Sequence, residues 1–164
     1  MTQRIREKPH RLPRETYLGQ ATVSFTICVA HRAPLFTDAG VVGAFLDVLR
    51  SVAQHWSCVV VVYCFMPDHL HLVLHGTTHE ADLWKMVVDF KQRSGYWLYR
   101  HMPRVVWQKD FYDHVIREDD DLAVHVRYVL DNPCRKGLVN DWEEYPFKGS
   151  IGCELEDVLV GLPL

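Results

Sequence analysis

Residues 65–74 read Phe-Met-Pro-Asp-His-Leu-His-Leu-Val-Leu, and two histidines so spaced invite a chemical reading. In an extended strand, side chains two apart leave from the same face, so His69, His71 and His75 share one face and Leu70, Leu72 and Leu74 the other. Two imidazoles on one face can bind a single divalent ion and leave coordination positions open for a substrate. The same spacing is also compatible with two hydrogen-bonded or surface histidines. The turn residues Pro67 and Asp68 stand immediately before the pair.

A second group lies in the stretch Asp119 to Asp131, whose apolar residues Leu122, Val126, Val129 and Leu130 form one helical stripe. Tyr128 falls outside that stripe, on a face with Val124, His125 and, one turn further on, Asn132. A helical tyrosine is compatible with a packing or rim aromatic. A phenol beside a carboxamide and a metal-binding imidazole pair is also compatible with a nucleophile. The acidic run Glu118 to Asp121 suits the positive end of the helix dipole and needs no further explanation.

These groups need a scaffold. Ala21 to Ala30 is rich in β-branched residues and predicts a strand. Val41 to Ala53 has helical periodicity, and Trp56 to Met66 predicts a buried strand, followed after the turn by the alternating strand His69 to Leu74. Ala81 to His101 predicts a helix stopped before Pro103, and Phe111 to Ile116 a last strand before the Tyr128 helix. The order β-α-β-β-α-β is the ferredoxin-like pattern, an α+β fold that places helices over one face of an antiparallel sheet, here with an additional C-terminal helix. The leucines of the third strand belong against the two crossover helices.

The chain has 164 residues and 48% hydrophobic composition, which suits a single domain 1–164: an arm over 1–20, a core over 21–139 and a tail over 140–164. No apolar run suits a membrane span or a signal segment, and a cytoplasmic protein is expected. Five scattered cysteines without a Cys-x-x-Cys pair indicate reduced thiols. The net charge of −3 argues against a protein that coats duplex DNA over its whole surface. Positive charge instead gathers in the arm, at Arg4, Arg6, Arg11 and Arg14, and at Lys91, Arg93 and Arg100. The last two interleave with Tyr96, Trp97 and Tyr99, a mixture suited to single-stranded nucleic acid and also to ordinary helix packing.

Phe65 to Leu74 resembles the His-hydrophobic-His segment of single-tyrosine HUH transposases, the IS200-like transposases. Trp107 to Arg117 (Trp-Gln-Lys-Asp-Phe-Tyr-Asp-His-Val-Ile-Arg) and Arg127 to Val139 (Arg-Tyr-Val-Leu-Asp-Asn-Pro-Cys-Arg-Lys-Gly-Leu-Val) look like the subgroup of REP-associated tyrosine transposases. Arg11-Leu-Pro, Phe25-Thr-Ile-Cys and Tyr145-Pro-Phe fit as well, so the resemblance spans nearly the whole chain.

The resemblance implies an HUH transposase fold, a Mg²⁺ or Mn²⁺ cofactor and cleavage of hairpin-bearing single-stranded DNA, by a monomer or a homodimer. It makes His69 and His71 the metal pair, Tyr128 the nucleophile and Asn132 a further metal ligand, and it makes Trp107 a candidate for stacking on a base. A 5′-phosphotyrosine intermediate and a free 3′-hydroxyl are implied, so rejoining needs no ATP; no nucleotide-binding glycine loop is present. The alternatives are a module that binds hairpin or single-stranded DNA without cutting it, and a metal-dependent phosphodiesterase in which water attacks.

Overall fold

The computed structural model describes residues 12–164. Strands β1 (Thr22–Val29), β2 (Cys58–Met66), β3 (His69–Gly76), β4 (Trp107–Val115) and β5 (Lys148–Ile151) form one antiparallel sheet in the order β4-β1-β3-β2-β5. Helices α1 (Ala39–His55) and α2 (Leu83–His101) make the two crossovers, and α3 (Leu122–Leu130), α4 (Asn132–Arg135) and α5 (Leu155–Leu159) follow β4. The first four strands with α1 and α2 have the ferredoxin-like connectivity expected from the sequence. None of the helices among the described residues is long and apolar enough to cross a membrane.

Alternation along the strands builds two apolar layers. Leu70, Leu72 and Leu74 pair with Ile27, Phe25 and Val23 and pack under Val42, Phe45 and Leu49 of α1 and Met86, Val87 and Phe90 of α2. On the other face Val73 lies between His71 and His75. With Val61, Val62 and Cys64 of β2 it is covered by Val126, Val129 and Leu130 of α3 and by Leu155 and Val158 of α5. A register shift between Val60 and Val62 puts both Val61 and Val62 in this second layer. The sheet therefore carries helices on both faces, not on one. The residues beyond 140 contribute a fifth strand and a helix that the sequence pattern does not predict.

Side chains cap the long helices. Asp38 accepts from the Val41 N–H at 3.0 Å and Asp121 from the Ala123 N–H at 2.9 Å, so α3 starts later than its acidic run suggests. Asp82 caps α2, accepting from the Lys85 N–H at 3.0 Å, and also pairs with Arg14, whose Nη1 donates at 2.9 Å. Burial pushes the Asp82 carboxyl up, but the bonds and charges of Arg14 and Lys85 outweigh it and hold the group below its ordinary value of 3.8.

That shift fixes a pH signature. A depressed carboxyl contributes stability that is present above its ordinary value and lost as pH falls through its folded value. Arg14→Gln should lower the thermal midpoint at neutral pH, and the gap from wild type should narrow as pH falls below the ordinary carboxyl value of 3.8 in melts followed by circular dichroism. A gap that stays constant across the range contradicts the pairing as a source of stability.

Candidate active site

The imidazole face opens at the turn between β2 and β3. Register pairs Cys28 with His69 and Thr26 with His71 across β1 and β3, and Tyr112 of β4 lies opposite Thr26. Pro133 has no N–H to continue the helical ladder, so α3 closes at Leu130 and α4 begins at Asn132. Packing of α3 on the sheet through Val126 and Val129 then leaves Tyr128 and Asn132 over the histidines. The result is a cavity of about 780 Å³ whose wall includes His69, His71, Asn132, Tyr128 and Tyr112.

The two rings stand nearly perpendicular, at 86°, with their Nε2 atoms 3.0 Å apart. His69 Nδ1 lies 2.6 Å from Asp68 Oδ1. A carboxylate only accepts, so the proton sits on Nδ1 and His69 Nε2 presents its lone pair to the cavity. His71 Nδ1 is held 3.1 Å from the Thr26 hydroxyl, and the Asn132 carboxamide contacts His71 Nε2. Burial lowers the pKa of both rings. For His71 it acts with the charges of His69, Arg135 and Arg32 to bring the value to about 3. For His69 burial outweighs the opposing bond and charge of Asp68, aided by Arg32 and Lys136. Both rings are neutral at neutral pH, the state that binds metals.

The donor spacing fits a divalent ion. Octahedral ligands at about 2.1 Å stand about 3.0 Å from their neighbours, which is the separation of the two Nε2 atoms. Among the described residues no group of three or more His, Cys, Asp or Glu side chains could hold a metal ion. An ion here would rest on two imidazoles and the Asn132 carboxamide, with further positions open.

Tyr128 is 62% exposed, and the Arg135 guanidinium lies 4.0 Å from its ring centroid. Arg135 also donates to the Tyr128 carbonyl at 3.1 Å and pairs with Asp131 at 3.3 Å. The other site candidates among the described residues are elsewhere. Arg4, Arg6 and Arg11 lie outside the described residues. Arg14 is paired with Asp82, and Lys91 Nζ donates to the Gln108 and Lys109 carbonyls at 2.8 Å each. Arg93 bonds Asp89 at 2.8 Å. Arg100 is exposed on α2, on the leucine side of the sheet. Trp107, expected as a base-stacking residue, packs against Phe36, Phe45 and Phe90 and donates to Ser94 Oγ at 2.8 Å, so its indole is spent on the core. Sequence alone assigns no role to Asp68, Thr26, Arg32, Lys136 or Tyr112; only the Asp beside His-Leu-His leaves a visible signal.

Comparison with known proteins identifies the family. Residues 18–132 match the family model described as "Transposase IS200 like". The chain belongs to the IS200-like transposase family. A Haemophilus influenzae protein assigned as a REP-associated tyrosine transposase is 25% identical over 150 residues, covering 80% of this chain and 82% of that one. An Escherichia coli REP-associated tyrosine transposase is 27% identical over 86 residues, 50% of this chain and 48% of the relative. The solved structure of a REP-associated tyrosine transposase bound to a REP hairpin superposes with a TM-score of 0.72 at 21% identity, covering 87% of this chain and 82% of that one. This IS200-like transposase thus shares the fold of that enzyme, and it is itself an enzyme of the tyrosine transposase class.

The histidine assignments can be read in solution. Because both imidazoles resist protonation in the fold, the unfolded chain binds more protons below its ordinary histidine value of 6.5, and stability falls as pH drops through it. In imidazole ¹⁵N spectra His71 should show no titration between about pH 5 and pH 8, and His69 should show the Nδ1–H tautomer. Asp68→Ala should remove that tautomer preference. Titration of His71 near its ordinary value contradicts its burial.

Proposed function

We propose that this transposase nicks and rejoins hairpin-bearing single-stranded DNA, with Tyr128 as the nucleophile and a Mg²⁺ or Mn²⁺ ion held by His69, His71 and Asn132. The observation that carries the proposal is the convergence of a neutral imidazole pair, a buried carboxamide and an exposed phenol on one cavity. Two nitrogen donors favour Mn²⁺ over the harder Mg²⁺. The REP hairpin held by the structural relative supports hairpin DNA as the substrate class.

When bound, the ion supplies charge stabilisation to a non-bridging oxygen of the scissile phosphate. The chain's own residues do the rest. Asp68 and Thr26 hold the imidazoles in orientation through their Nδ1 atoms. Arg135 covers one face of the Tyr128 ring and anchors its carbonyl, which limits where the phenol can point. Tyr128 Oη forms a bond to phosphorus, the bond from phosphorus to the 3′-oxygen breaks, the phenolic proton is lost to water and the departing 3′-oxygen takes up a proton. One phosphoester replaces another, so attack by a 3′-hydroxyl on the phosphotyrosine reseals the strand without ATP.

Tyr128→Phe tests the proposal. The phenol is exposed, so the variant should keep its stability within about 0.5 kcal/mol and still bind hairpin DNA. It should form no denaturant-resistant protein–DNA species with Mn²⁺, whereas wild type and Tyr112→Phe should. Nicking by the Tyr128→Phe variant at the wild-type rate without any adduct moves the enzyme to water attack. Loss of the adduct in Tyr112→Phe alone reassigns the nucleophile, and hairpin binding by wild type without nicking makes the chain a binding module.

A further inference from the structure

Resting on that reading, we infer that Arg32 and Lys136 form a phosphate-binding subsite beside the imidazole pair, which seats the single-stranded flank of the DNA in the cavity. Both side chains belong to the cavity wall. They come from different parts of the chain: Arg32 from the turn after β1 and Lys136 from the residue that ends α4.

The backbone at Arg32 is unusual. His31 and Arg32 have φ values of 57° and 53°, a left-handed conformation disfavoured for residues with a Cβ. The segment is held on both sides. The Val29 N–H donates to the Asp68 carbonyl at 2.9 Å and the Ala30 N–H to the Val106 carbonyl at 2.9 Å, while the Leu35 and Phe36 N–H groups donate to the Pro67 carbonyl at 2.7 and 3.0 Å. These bonds pin the turn to the residues that lead into His69. Strained backbone held by its surroundings is concentrated at functional sites, and here its consequence is to put a guanidinium next to Asp68 and His69.

That guanidinium is poorly satisfied. Its Nη1 lies 3.7 Å from Asp68 Oδ2, longer than a hydrogen bond, and 3.4 Å from His69 Nδ1. The second contact is not a bond, because His69 Nδ1 already carries the proton it gives to Asp68. The side chain is 57% exposed. Among the described residues Lys136 has no side-chain hydrogen bond or ion pair, whereas Arg135, the third cation near the rings, is committed to Tyr128 and Asp131. Two cations with donors to spare, beside neutral imidazoles and an exposed phenol, suit the non-bridging oxygens of a phosphodiester. A guanidinium can take two such oxygens side by side, and an ammonium acts as a point charge.

The test is equilibrium binding in the Tyr128→Phe background, where no strand is cut, with a DNA hairpin carrying a single-stranded flank of about ten nucleotides and Mn²⁺ present. Affinity is measured against salt. Arg32→Gln and Lys136→Gln should each reduce the slope of log affinity on log salt by about 0.7 per lost phosphate contact on a single strand, and the double variant by the sum. On the same hairpin without its flank the substitutions should leave the slope unchanged, and Arg100→Gln should change neither slope. Unchanged slopes for Arg32 and Lys136, or an effect that persists on the blunt hairpin, overturn the subsite while leaving the proposed function standing. Failure of the parent protein to bind either hairpin overturns both.

Discussion

Two imidazole nitrogens 3.0 Å apart, one of them fixed as a lone pair by a carboxylate, are the constraint around which the rest of this protein is arranged. Lone pairs do not approach so closely without a proton or a cation between them. The pair lies at the first turn of β3 because Pro67 and Asp68 reverse the chain there, and Asp68 both makes the turn and orients the first ring. Thr26, supplied by the neighbouring strand in register, orients the second. The leucines between the histidines bind the strand to α1 and α2, so the positions of the rings follow from the packing of the opposite face.

The second layer determines what meets the histidines. Val73, Val61 and Val62 give α3 an apolar seat, and Leu155 and Val158 of α5 complete it. Arg127 of α3 donates to the Leu159 carbonyl at 2.5 Å, tying the tyrosine helix to the C-terminal segment. Tyr145, whose hydroxyl donates to the Phe65 carbonyl at 2.5 Å, fastens the same segment to β2. Residues far from the cavity thus hold the helix that brings Tyr128 and Asn132 to it. In this chain the cavity therefore depends on both layers of the sheet.

The leucine face and the imidazole pair are legible in the sequence, because period-two alternation is a local property. The apolar stripe of the Tyr128 helix is legible too, but the sheet face it covers is not, and the sequence pattern puts helices on one face only. The short strand Lys-Gly-Ser-Ile has no alternation to read, and its role depends on pairing with β2 from across the chain. Charge is the weakest guide. Arg14 reads as part of a basic arm until Asp82 stands beside it, and Lys91 until the carbonyls of β4 do. Arg32, in contrast, stands outside every basic cluster of the sequence. Only the backbone that turns it toward His69 gives it meaning.

The central claim is that the two Nε2 atoms and the Asn132 carboxamide hold one divalent ion. A crystal soaked in Mn²⁺ and measured at the manganese absorption edge tests it most directly. The anomalous difference map should show a single strong peak within bonding distance of His69 Nε2 and His71 Nε2, at the mouth of the cavity that Tyr128 overlooks. A map with no peak there, from a protein that still nicks DNA in the same buffer, contradicts the account.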